Sequence, residues 1–277
     1  MKLLLSLGHG YTAAALAALL LPQGWRVIGT TRTAEHAAEI ARTGVEPVLW
    51  GADLRPVLAQ ATHVLSSIAP DAGGDAVLRI YGAALAGSAA AWVGYLSTTA
   101  VYGDHGGAWV DEATPLTPST ARGAARVAAE AGWQDLGLPL HIFRLAGIYG
   151  PGRGPFEKVR DGSARRILKP GQVFSRIHVA DIAQALAASM ARPMPGAVWN
   201  LCDDDPAPPE VVLSHAAALL GLPEPPSVDY ENAEMTPMAR SFYAENKRVR
   251  NDRIKRDLGL RLLYPGFREG LAGILAG

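Results

Sequence analysis

A glycine-rich turn near the start of the chain has the residue types and spacing that a dinucleotide pyrophosphate requires. An apolar run, residues 2–7, leads into Gly8-His9-Gly10-Tyr11-Thr12-Ala13, and an alanine- and leucine-rich stretch follows. Gly8 suits a tight turn, Gly10 lets a pyrophosphate touch the backbone, and Ala13 lets a helix pack closely on a strand. The positive end of the helix dipole would face the phosphates. We therefore predict a nucleotide site that uses these six residues.

The next apolar run indicates which dinucleotide binds. Pro22-Gln23-Gly24 ends the first helix, and a second strand is predicted at residues 26–31. Its end lacks the Asp or Glu that would accept hydrogen bonds from a ribose 2'-hydroxyl. Arg32, directly after Thr31, is placed to pair with a 2'-phosphate instead. The sequence therefore favours NADP(H), with NAD(H) less favoured; the alternative is that Arg32 is an ordinary solvated residue.

The first residues also admit a different interpretation, a secretory signal peptide. Lys2 precedes apolar residues, and Ala-x-Ala triplets follow it. However, Gly8, His9, Gly10 and Tyr11 would interrupt the apolar core of such a peptide, and its removal would delete the first predicted strand. We therefore favour the strand and the nucleotide turn over the signal peptide.

Composition limits the classes of function. The 277 residues are enough for one large α/β domain with a lobe, and 26 basic residues balance 26 acidic ones. The chain therefore has no electrostatic footprint for nucleic acid or an anionic membrane. Cys202 is the only cysteine, which excludes an internal disulfide framework and a cysteine-based zinc site. We predict a soluble, cytoplasmic protein with a small-molecule substrate and no metal; a homodimer is compatible with this.

Apolar runs alternate with helical patterns along the chain, which is typical of parallel βαβ units with right-handed crossovers. The predicted strands are residues 2–7, 26–31, 46–50, 63–66, 92–98, 140–145 and 198–202, and predicted helices include 76–86, 120–136 and 179–191. The fold class is therefore α/β, a Rossmann-type doubly wound parallel sheet of about seven strands. Ligands of such sheets lie beyond the carboxyl ends of the strands. The turns there should form one cleft, at Gly8, Thr31, Asp53, Ser66, Ser67, Thr98 and Ala146.

The composition changes after Ile148. The segment Tyr149-Gly150-Pro151-Gly152-Arg153-Gly154-Pro155 has the chemistry of turns, and residues 203–237 are rich in proline and acidic residues. We predict that residues 1–150, with 178–202, form the nucleotide-binding domain. Residues 151–177 and 203–277 are expected to form a small substrate-binding lobe.

Three further motifs follow in order: Leu96-Ser97-Thr98-Thr99-Ala100-Val101-Tyr102-Gly103, Arg144-Leu145-Ala146-Gly147-Ile148-Tyr149-Gly150-Pro151-Gly152 and Arg176-Ile177-His178-Val179-Ala180-Asp181-Ile182-Ala183. With the glycine-rich turn, they make the chain resemble the NAD(P)-dependent epimerase/dehydratase branch of the extended short-chain dehydrogenase/reductase superfamily. The resemblance implies a Rossmann domain and a lobe that closes over a small substrate.

The resemblance also suggests roles for single residues. Thr98 falls where the family keeps a Ser or Thr that hydrogen-bonds the reacting oxygen, and Asp53 with Leu54 matches an acidic–apolar pair beside the adenine. The alternatives are a strand-end hydroxyl that bonds its own backbone and, for Asp53, a helix N-cap. We interpret His178 and Asp181, at the start of a predicted helix, mainly as structural residues.

The chain departs from the family in its catalytic pair. The family uses Tyr-x-x-x-Lys, in which the ammonium lowers the pKa of the phenol. Alignment on residues 127–130 puts Arg122 in the tyrosine position and Arg126 in the lysine position. Arginine stays protonated, so Arg126 could contact the nicotinamide ribose, whereas Arg122 could only clamp an anionic substrate. The alternative for both is a solvated helix face.

Proton transfer would fall to another group, and Tyr102, His105 and Tyr149 are candidates because their motifs place them near strand ends. A Tyr-x-x-x-Lys string also occurs at Tyr243 and Lys247, but we interpret it as a chance spacing. The predicted function is an NADP(H)-binding oxidoreductase or epimerase-like protein for a small, anionic or sugar-related metabolite. The alternative is a catalytically silent NADP(H) sensor or scaffold; an active sugar-nucleotide epimerase is least favoured.

Overall fold

The computed structural model describes residues 2–277. Its strands are β1 (Leu3–Leu7), β2 (Arg26–Thr31), β3 (Glu46–Leu49), β4 (His63–Ser66), β5 (Trp92–Thr98), β6 (Trp109–Val110), β7 (Leu140–Leu145), β8 (Gly147–Tyr149), β9 (Arg166–Leu168), β10 (Arg176–His178), β11 (Val198–Leu201), β12 (Ser227–Asp229) and β13 (Arg248–Val249). Its helices are α1 (Tyr11–Leu20), α2 (Ala34–Arg42), α3 (Arg55–Leu58), α4 (Ala76–Ala86), α5 (Ala121–Gln134), α6 (Phe156–Arg160), α7 (Val179–Ala191), α8 (Pro209–Leu219), α9 (Pro237–Tyr243), α10 (Asp252–Leu258) and α11 (Phe267–Ala276).

Seven strands form one sheet in the order β11-β7-β5-β4-β1-β2-β3. Every pairing in this sheet is parallel. From β1 the chain adds strands in one direction as far as β3 and then crosses to β4 on the other side. This reversal is the switch point of a doubly wound sheet, beside which ligands bind. The predicted α/β fold class is therefore confirmed, as is each of the seven predicted strands.

Both faces of the sheet are covered, which explains why its strands are continuously apolar. Leu4 belongs to the core cluster under α1 and α7, whereas Leu3 and Leu5 belong to the cluster under α4 and α5. Successive side chains of a strand point to opposite faces, so β1 buries side chains in both layers. Each such leucine contributes roughly 1.5–3 kcal/mol to folding. The strand is therefore a central part of the core.

A third apolar cluster lies in the segment that follows the change in composition. It contains residues of α6, α8 and α11 with Tyr149, among them Phe156, Val212 and Phe267. Two-stranded parallel sheets, β10 with β8 and β12 with β9, accompany it. However, Ile254 of α10 belongs to the core of the main sheet. The C-terminal part of the chain thus contributes to both cores.

A buried ion pair joins α5 to the main sheet. Arg144 Nη2 donates to Glu130 Oε2 at 2.8 Å, and both side chains are less than 10% exposed. Ser97 Oγ donates to Glu130 Oε1 at 2.5 Å, and Arg144 Nη1 donates to Tyr102 Oη at 3.0 Å. Tyr102 Oη in turn donates to Asn200 Oδ1 at 2.7 Å. This network satisfies the buried charges and ties α5 to β5, β7 and β11.

Among residues 2–277, no helix combines the length and the apolarity needed to cross a membrane. The longest helix, α5, carries Arg122, Arg126 and Glu130 within its 14 residues.

Removal of one partner of the ion pair should destabilise the protein strongly. We expect Glu130→Ala to lower the free energy of unfolding by about 3–5 kcal/mol, because Arg144 would keep an uncompensated buried charge. Urea denaturation followed by circular dichroism measures the loss. Glu46→Ala is the matched control, because its ion pair with Arg26 is half exposed and should leave the free energy of unfolding nearly unchanged. Equal losses in the two variants would contradict this account.

Candidate functional site

A cleft of about 770 Å³ opens beyond the carboxyl ends of the central strands. Its sheet side is formed by the turns after β1, β4, β5 and β7, which contribute Gly8, Ser67, Thr98 and Ala146. The opposite wall comes from residues 173–176 and from α9 with the segment after it. These four turns therefore converge as expected. Thr31 and Asp53 do not line the cleft, because β2 and β3 lie further out in the sheet.

The turn after β1 is held by a residue that the sequence did not point to. Gly8 has φ +83°, and a Cβ there would lie 2.5 Å from Ile68 Cγ1, so only glycine fits. Gly8 N donates to Thr30 Oγ1 at 2.8 Å, and His9 N donates to Thr30 O at 2.9 Å. Thr30 of β2 thus fixes the glycine-rich turn from the neighbouring strand. Its sequence signal is weak, because Thr31, the next residue of β2, also carries a hydroxyl.

An open space lies at the N-terminus of α1. A Cβ on Gly10 would meet no heavy atom nearer than Gly8 O at 4.0 Å. Tyr11 and Thr12, the first residues of α1, line the cleft beside Gly10, whereas Ala13 is buried in the core. The first N–H groups of a helix have no partner within the helix, and the helix N-terminus carries a partial positive charge. Both features favour the binding of phosphate oxygens in the open space beside Gly10. The residues present here therefore fit the pyrophosphate of a dinucleotide.

The structure places the side chains of His9 and Ser66 outside the predicted cofactor site. The His9 ring packs against Gly29, where a Cβ would lie 2.7 Å from it, and burial lowers the pKa of His9 to about 4. Ser66 is fully buried. Within residues 2–277, His9 Nδ1 and Ser66 Oγ have no hydrogen-bond partner. Ser67, in contrast, lines the cleft and donates its hydroxyl to Gly8 O.

The three residues predicted for the adenosine end lie outside the cleft. Arg32 is exposed after β2. Asp53 accepts from Arg55 N at 3.0 Å at the start of α3 and forms an ion pair with the Arg55 guanidinium at 2.8 Å, which lowers the pKa of Asp53 to about 2. The Leu54 side chain is buried in the core, so any contact of Leu54 with a cofactor would use its backbone. Asp53 precedes Leu54, the N-cap residue of α3, so the alternative of a helix N-cap is not realised, although the Asp53 carboxylate bonds the first turn.

Arg122 and Arg126 both line the cleft, one helical turn apart on α5. The Arg122 guanidinium is exposed and lies 4.5 Å from the ring centroid of Phe242. Arg126 Nη1 donates to Tyr95 Oη at 3.0 Å and to Leu96 O at 2.7 Å, which fixes its guanidinium at the end of β5. The alternative of a solvated helix face is therefore not realised for Arg126, whereas the exposed Arg122 is compatible with it.

Thr98 occupies the floor of the cleft, and its hydroxyl also has a backbone contact. Thr98 Oγ1 accepts from Ala100 N at 3.3 Å, where the chain turns after β5. This bond uses an acceptor lone pair, so the O–H can still donate to a ligand. Thr98 can therefore accept a hydrogen bond from its own backbone and still donate one to a ligand.

Of the groups considered for proton transfer, the structure brings only Tyr149 to the cleft. The prediction of Tyr102 as a catalytic residue is wrong, because its side chain is fully buried between Arg144 and Asn200. His105 lies outside the cleft and donates to Tyr102 O at 3.0 Å. Tyr149 lines the cleft and donates to Gly266 O at 3.2 Å, and burial raises the pKa of its phenol.

Tyr243 and Lys247, which the sequence suggested were a chance spacing, both line the cleft. They do not share a helix, since α9 ends at Tyr243. Lys247 Nζ donates to Gly103 O at 2.7 Å and to Glu245 Oε2 at 2.6 Å, while burial raises the pKa of Tyr243 to about 12. Sequence separation hid both residues, because only the tertiary fold brings this segment back over β5.

His178 and Asp181 have the structural roles expected of them. His178 Nδ1 accepts from Ala180 N at 3.2 Å and caps α7. Asp181 accepts from the backbone N–H groups of Leu263 at 2.7 Å and Tyr264 at 3.1 Å. These bonds fasten the segment before α11 to α7.

The cleft is cationic although the chain has no net charge. It is lined by four arginines and one lysine: Arg122, Arg126, Arg153, Arg176 and Lys247. Glu245 is the one acidic residue in the described lining, and it is paired with Lys247. A cleft lined by one sign of charge concentrates ligands of the opposite sign. Within residues 2–277, no group of three His, Cys, Asp or Glu side chains could hold a metal ion.

Comparison with known proteins places this arrangement in context. No protein-family model matches the chain. Protein YeeZ of Escherichia coli K12 is 29% identical over 282 residues, which cover 96% of this chain and 97% of that protein. A conserved protein of unknown function from Silicibacter pomeroyi DSS is 62% identical, with a TM-score of 0.95 and coverage of 100% and 99%. The chain and this protein belong to one family.

Other solved structures are similar to the chain over nearly its whole length. A protein from Methylobacillus flagellatus, assigned to the NAD-dependent epimerases/dehydratases, is 25% identical, with a TM-score of 0.72 and coverage of 99% and 97%. UDP-glucuronic acid 4-epimerase from Bacillus cereus, in complex with NAD, is 16% identical and has a TM-score of 0.76 over 98% and 96% of the two chains. The latter likeness shows a shared fold. The resemblance inferred from the four sequence motifs is confirmed.

A side chain added at Gly10 should affect nucleotide binding but not folding. We expect Gly10→Val to abolish nucleotide binding while the protein stays folded, because the new side chain would fill the phosphate space and meet no protein atom. Calorimetry with NADPH and thermal unfolding measure the two effects. Gly8→Ala is the contrasting variant, and it should lose stability because of its left-handed φ and the contact with Ile68. Undiminished NADPH binding by folded Gly10→Val protein would show that this is not the pyrophosphate site.

Proposed function

We propose that this chain is an NADP(H)-dependent oxidoreductase of the extended short-chain dehydrogenase/reductase type, and its similarity to NAD-dependent epimerase/dehydratase structures supports this. Its substrate would be a small anionic metabolite, and its active site works without the Tyr-x-x-x-Lys pair. One observation carries the proposal: a single cationic cleft joins the Gly10 cradle, the Thr98 hydroxyl and the Arg122 guanidinium. That combination provides a phosphate site, a hydrogen-bond donor and an anion clamp side by side.

Three groups of residues would hold the dinucleotide. Gly10, Tyr11 and Thr12 offer the backbone and the N-terminus of α1 to its pyrophosphate. Arg153, whose guanidinium lies 5.7 Å from the Tyr11 ring centroid, adds positive charge beside them. Arg32 would pair with the 2'-phosphate. When bound, the cofactor supplies a hydride donor or acceptor.

The remaining cleft residues would orient the substrate. Thr98 donates its O–H to the reacting oxygen, and Arg122 pairs with an anionic group of the substrate. Arg126 is held by Leu96 O, so its guanidinium is pre-positioned for the nicotinamide ribose. A guanidinium that the protein already holds in place loses little freedom on binding, which favours affinity.

The titratable groups of the cleft are better suited to donating a proton than to accepting one. Arg122 and Arg126 stay protonated, and Glu245 is already paired with Lys247. Tyr149 and Tyr243 have raised pKa values, about 12 for Tyr243, so both phenols carry their protons at neutral pH. Reduction of a carbonyl consumes a proton, and Tyr243 is one cleft group that can provide it, whereas the Tyr149 O–H already donates to Gly266 O. Epimerisation needs a base, which this set does not offer.

The shortage of a base also supports a second candidate function, a catalytically silent NADP(H) sensor. Such a protein would keep the Gly10 cradle and need no proton transfer. A screen of small aldehydes, ketones and sugar nucleotides for NADPH consumption separates the two. No consumption by a protein that binds NADPH tightly would favour the sensor.

Cofactor preference tests the role of Arg32. We expect wild-type protein to bind NADPH more tightly than NADH, and Arg32→Ala to lose about tenfold or more in NADPH affinity, because a charge-assisted contact is removed. NADH affinity should not change. Arg42→Ala, at the other end of α2, is the control and should leave both affinities unchanged. Calorimetry that finds equal wild-type affinities for the two cofactors would refute the NADP(H) preference.

Substitutions of Arg122 and Arg126 should weaken the binding of different ligands. Arg122→Ala should leave NADPH affinity nearly unchanged and weaken substrate binding by about 1.5–3 kcal/mol, the loss typical of a hydrogen bond to a charged group. Arg126→Ala should weaken NADPH instead. Steady-state kinetics on a substrate from the screen, together with NADPH titrations, measure both effects. Equal loss of NADPH affinity in the two variants would argue against separate roles.

A further inference from the structure

The wall of the cleft that lies opposite the sheet is rich in aromatic rings. Phe174, Phe242, Tyr243 and Tyr149 all line it. The rings of Phe174 and Tyr243 meet edge to face, with centroids 5.3 Å apart and an interplanar angle of 77°. Such an arrangement leaves ring faces and edges that can pack on a further planar ring. This wall is therefore suited to an apolar, flat ligand.

The same lining has few carboxylate or amide side chains. Sugar hydroxyls commonly donate to carboxylates and pair with side-chain amides, which both donate and accept. No Asn, Gln or Asp lines the described cleft, and Glu245 is its one carboxylate. Glu245 is already engaged, because it accepts from Lys247 Nζ and from Ser119 Oγ, each at 2.6 Å. Within the described residues, the cleft therefore offers hydroxyl groups but no unpaired carboxylate or amide to a polyol.

The cleft does offer a free cation at its aromatic mouth. The Arg122 guanidinium lies over the Phe242 ring at 4.5 Å, and Phe242 is itself 47% exposed. Stacking on a ring leaves the N–H edge of a guanidinium free, and that edge matches a carboxylate with two parallel hydrogen bonds. Arg176 is different, since its Nη1 donates to Phe174 O at 2.8 Å and Ala207 O at 3.0 Å. Arg176 therefore stabilises the cleft wall at Phe174, whereas the Arg122 guanidinium is available to a ligand.

We propose that the substrate class of this site is an aromatic carboxylic acid. Its ring packs among Phe174, Phe242 and Tyr243, and its carboxylate pairs with Arg122. This inference rests on the proposed function, which makes the cleft the place where a small anion is bound beside the cofactor. It adds the planar ring and predicts weaker binding of sugar nucleotides.

Calorimetry on the NADPH-saturated protein tests the proposal with four probes: 3-phenylpropanoate, 3-phenylpropanamide, 3-cyclohexylpropanoate and UDP-glucose. We expect 3-phenylpropanoate to bind most tightly. The amide should bind about tenfold more weakly or worse, because it lacks the charge. The cyclohexyl acid should bind about threefold more weakly or worse, although it is the more hydrophobic acid, because it cannot make ring–ring contacts.

Variants assign the effect to the named residues. Phe242→Leu should weaken 3-phenylpropanoate about threefold and remove its advantage over the cyclohexyl acid. Arg122→Ala should weaken both acids about tenfold and leave the amide unchanged. Arg160→Ala is the matched control, because Arg160 lies over Phe156 at 5.7 Å outside the cleft. All three variants should keep the NADPH affinity of the wild type, which shows that they are folded.

Three results would overturn the proposal: tighter binding of UDP-glucose than of 3-phenylpropanoate, equal binding of the phenyl and cyclohexyl acids, or no binding of 3-phenylpropanoate at millimolar concentration. The second result, with NADPH and both acids bound, would leave the proposed function intact. Failure of the wild-type protein to bind NADPH at all would instead refute the proposed function.

Discussion

The ion pair between Glu130 and Arg144 fixes helix α5 against the sheet, and the site depends on that placement. Arg122, Arg126 and Glu130 are spaced four residues apart and so share one face of the helix. Along that face the three charged side chains differ in how strongly the rest of the protein holds them. Glu130 is buried in the network, Arg126 is bonded to the end of β5, and Arg122 reaches the cleft with Phe242 as its neighbour. The Glu130 end of α5 is thus anchored to the sheet, and this fixes the position of the Arg122 end.

The cleft combines a positive charge with phenols that keep their protons. Its cations gather on one side of a protein whose total charge is zero, so the field inside the cleft selects anions. Burial, the same cause that raises the pKa of Tyr149 and Tyr243, keeps these groups in the acid form. An anionic substrate that gains a proton fits both properties. This chemistry differs from that of a base-dependent epimerase, although the fold is shared with such enzymes.

Local signals in the sequence were sufficient to predict the sheet and the phosphate turn. The central strands are buried on both faces and therefore largely apolar, and Gly8 is demanded by its left-handed φ, whereas Gly10 leaves an open space beside the backbone. Side-chain direction at the ends of strands was harder to predict. Tyr102 lies four residues beyond the end of β5, but the 3₁₀ turn at Thr99–Tyr102 directs it into the core.

Contacts between distant segments were not predictable in this way. Phe242, Tyr243 and Lys247 reach the cleft from a segment more than a hundred residues after Thr98, and no local pattern encodes that return. A ternary crystal structure with NADPH and 3-phenylpropanoate tests the central claim most directly. The account predicts the pyrophosphate at the backbone of Gly10 to Thr12 and the carboxylate within hydrogen-bond distance of Arg122. A dinucleotide bound elsewhere, or a carboxylate held away from Arg122, would contradict it.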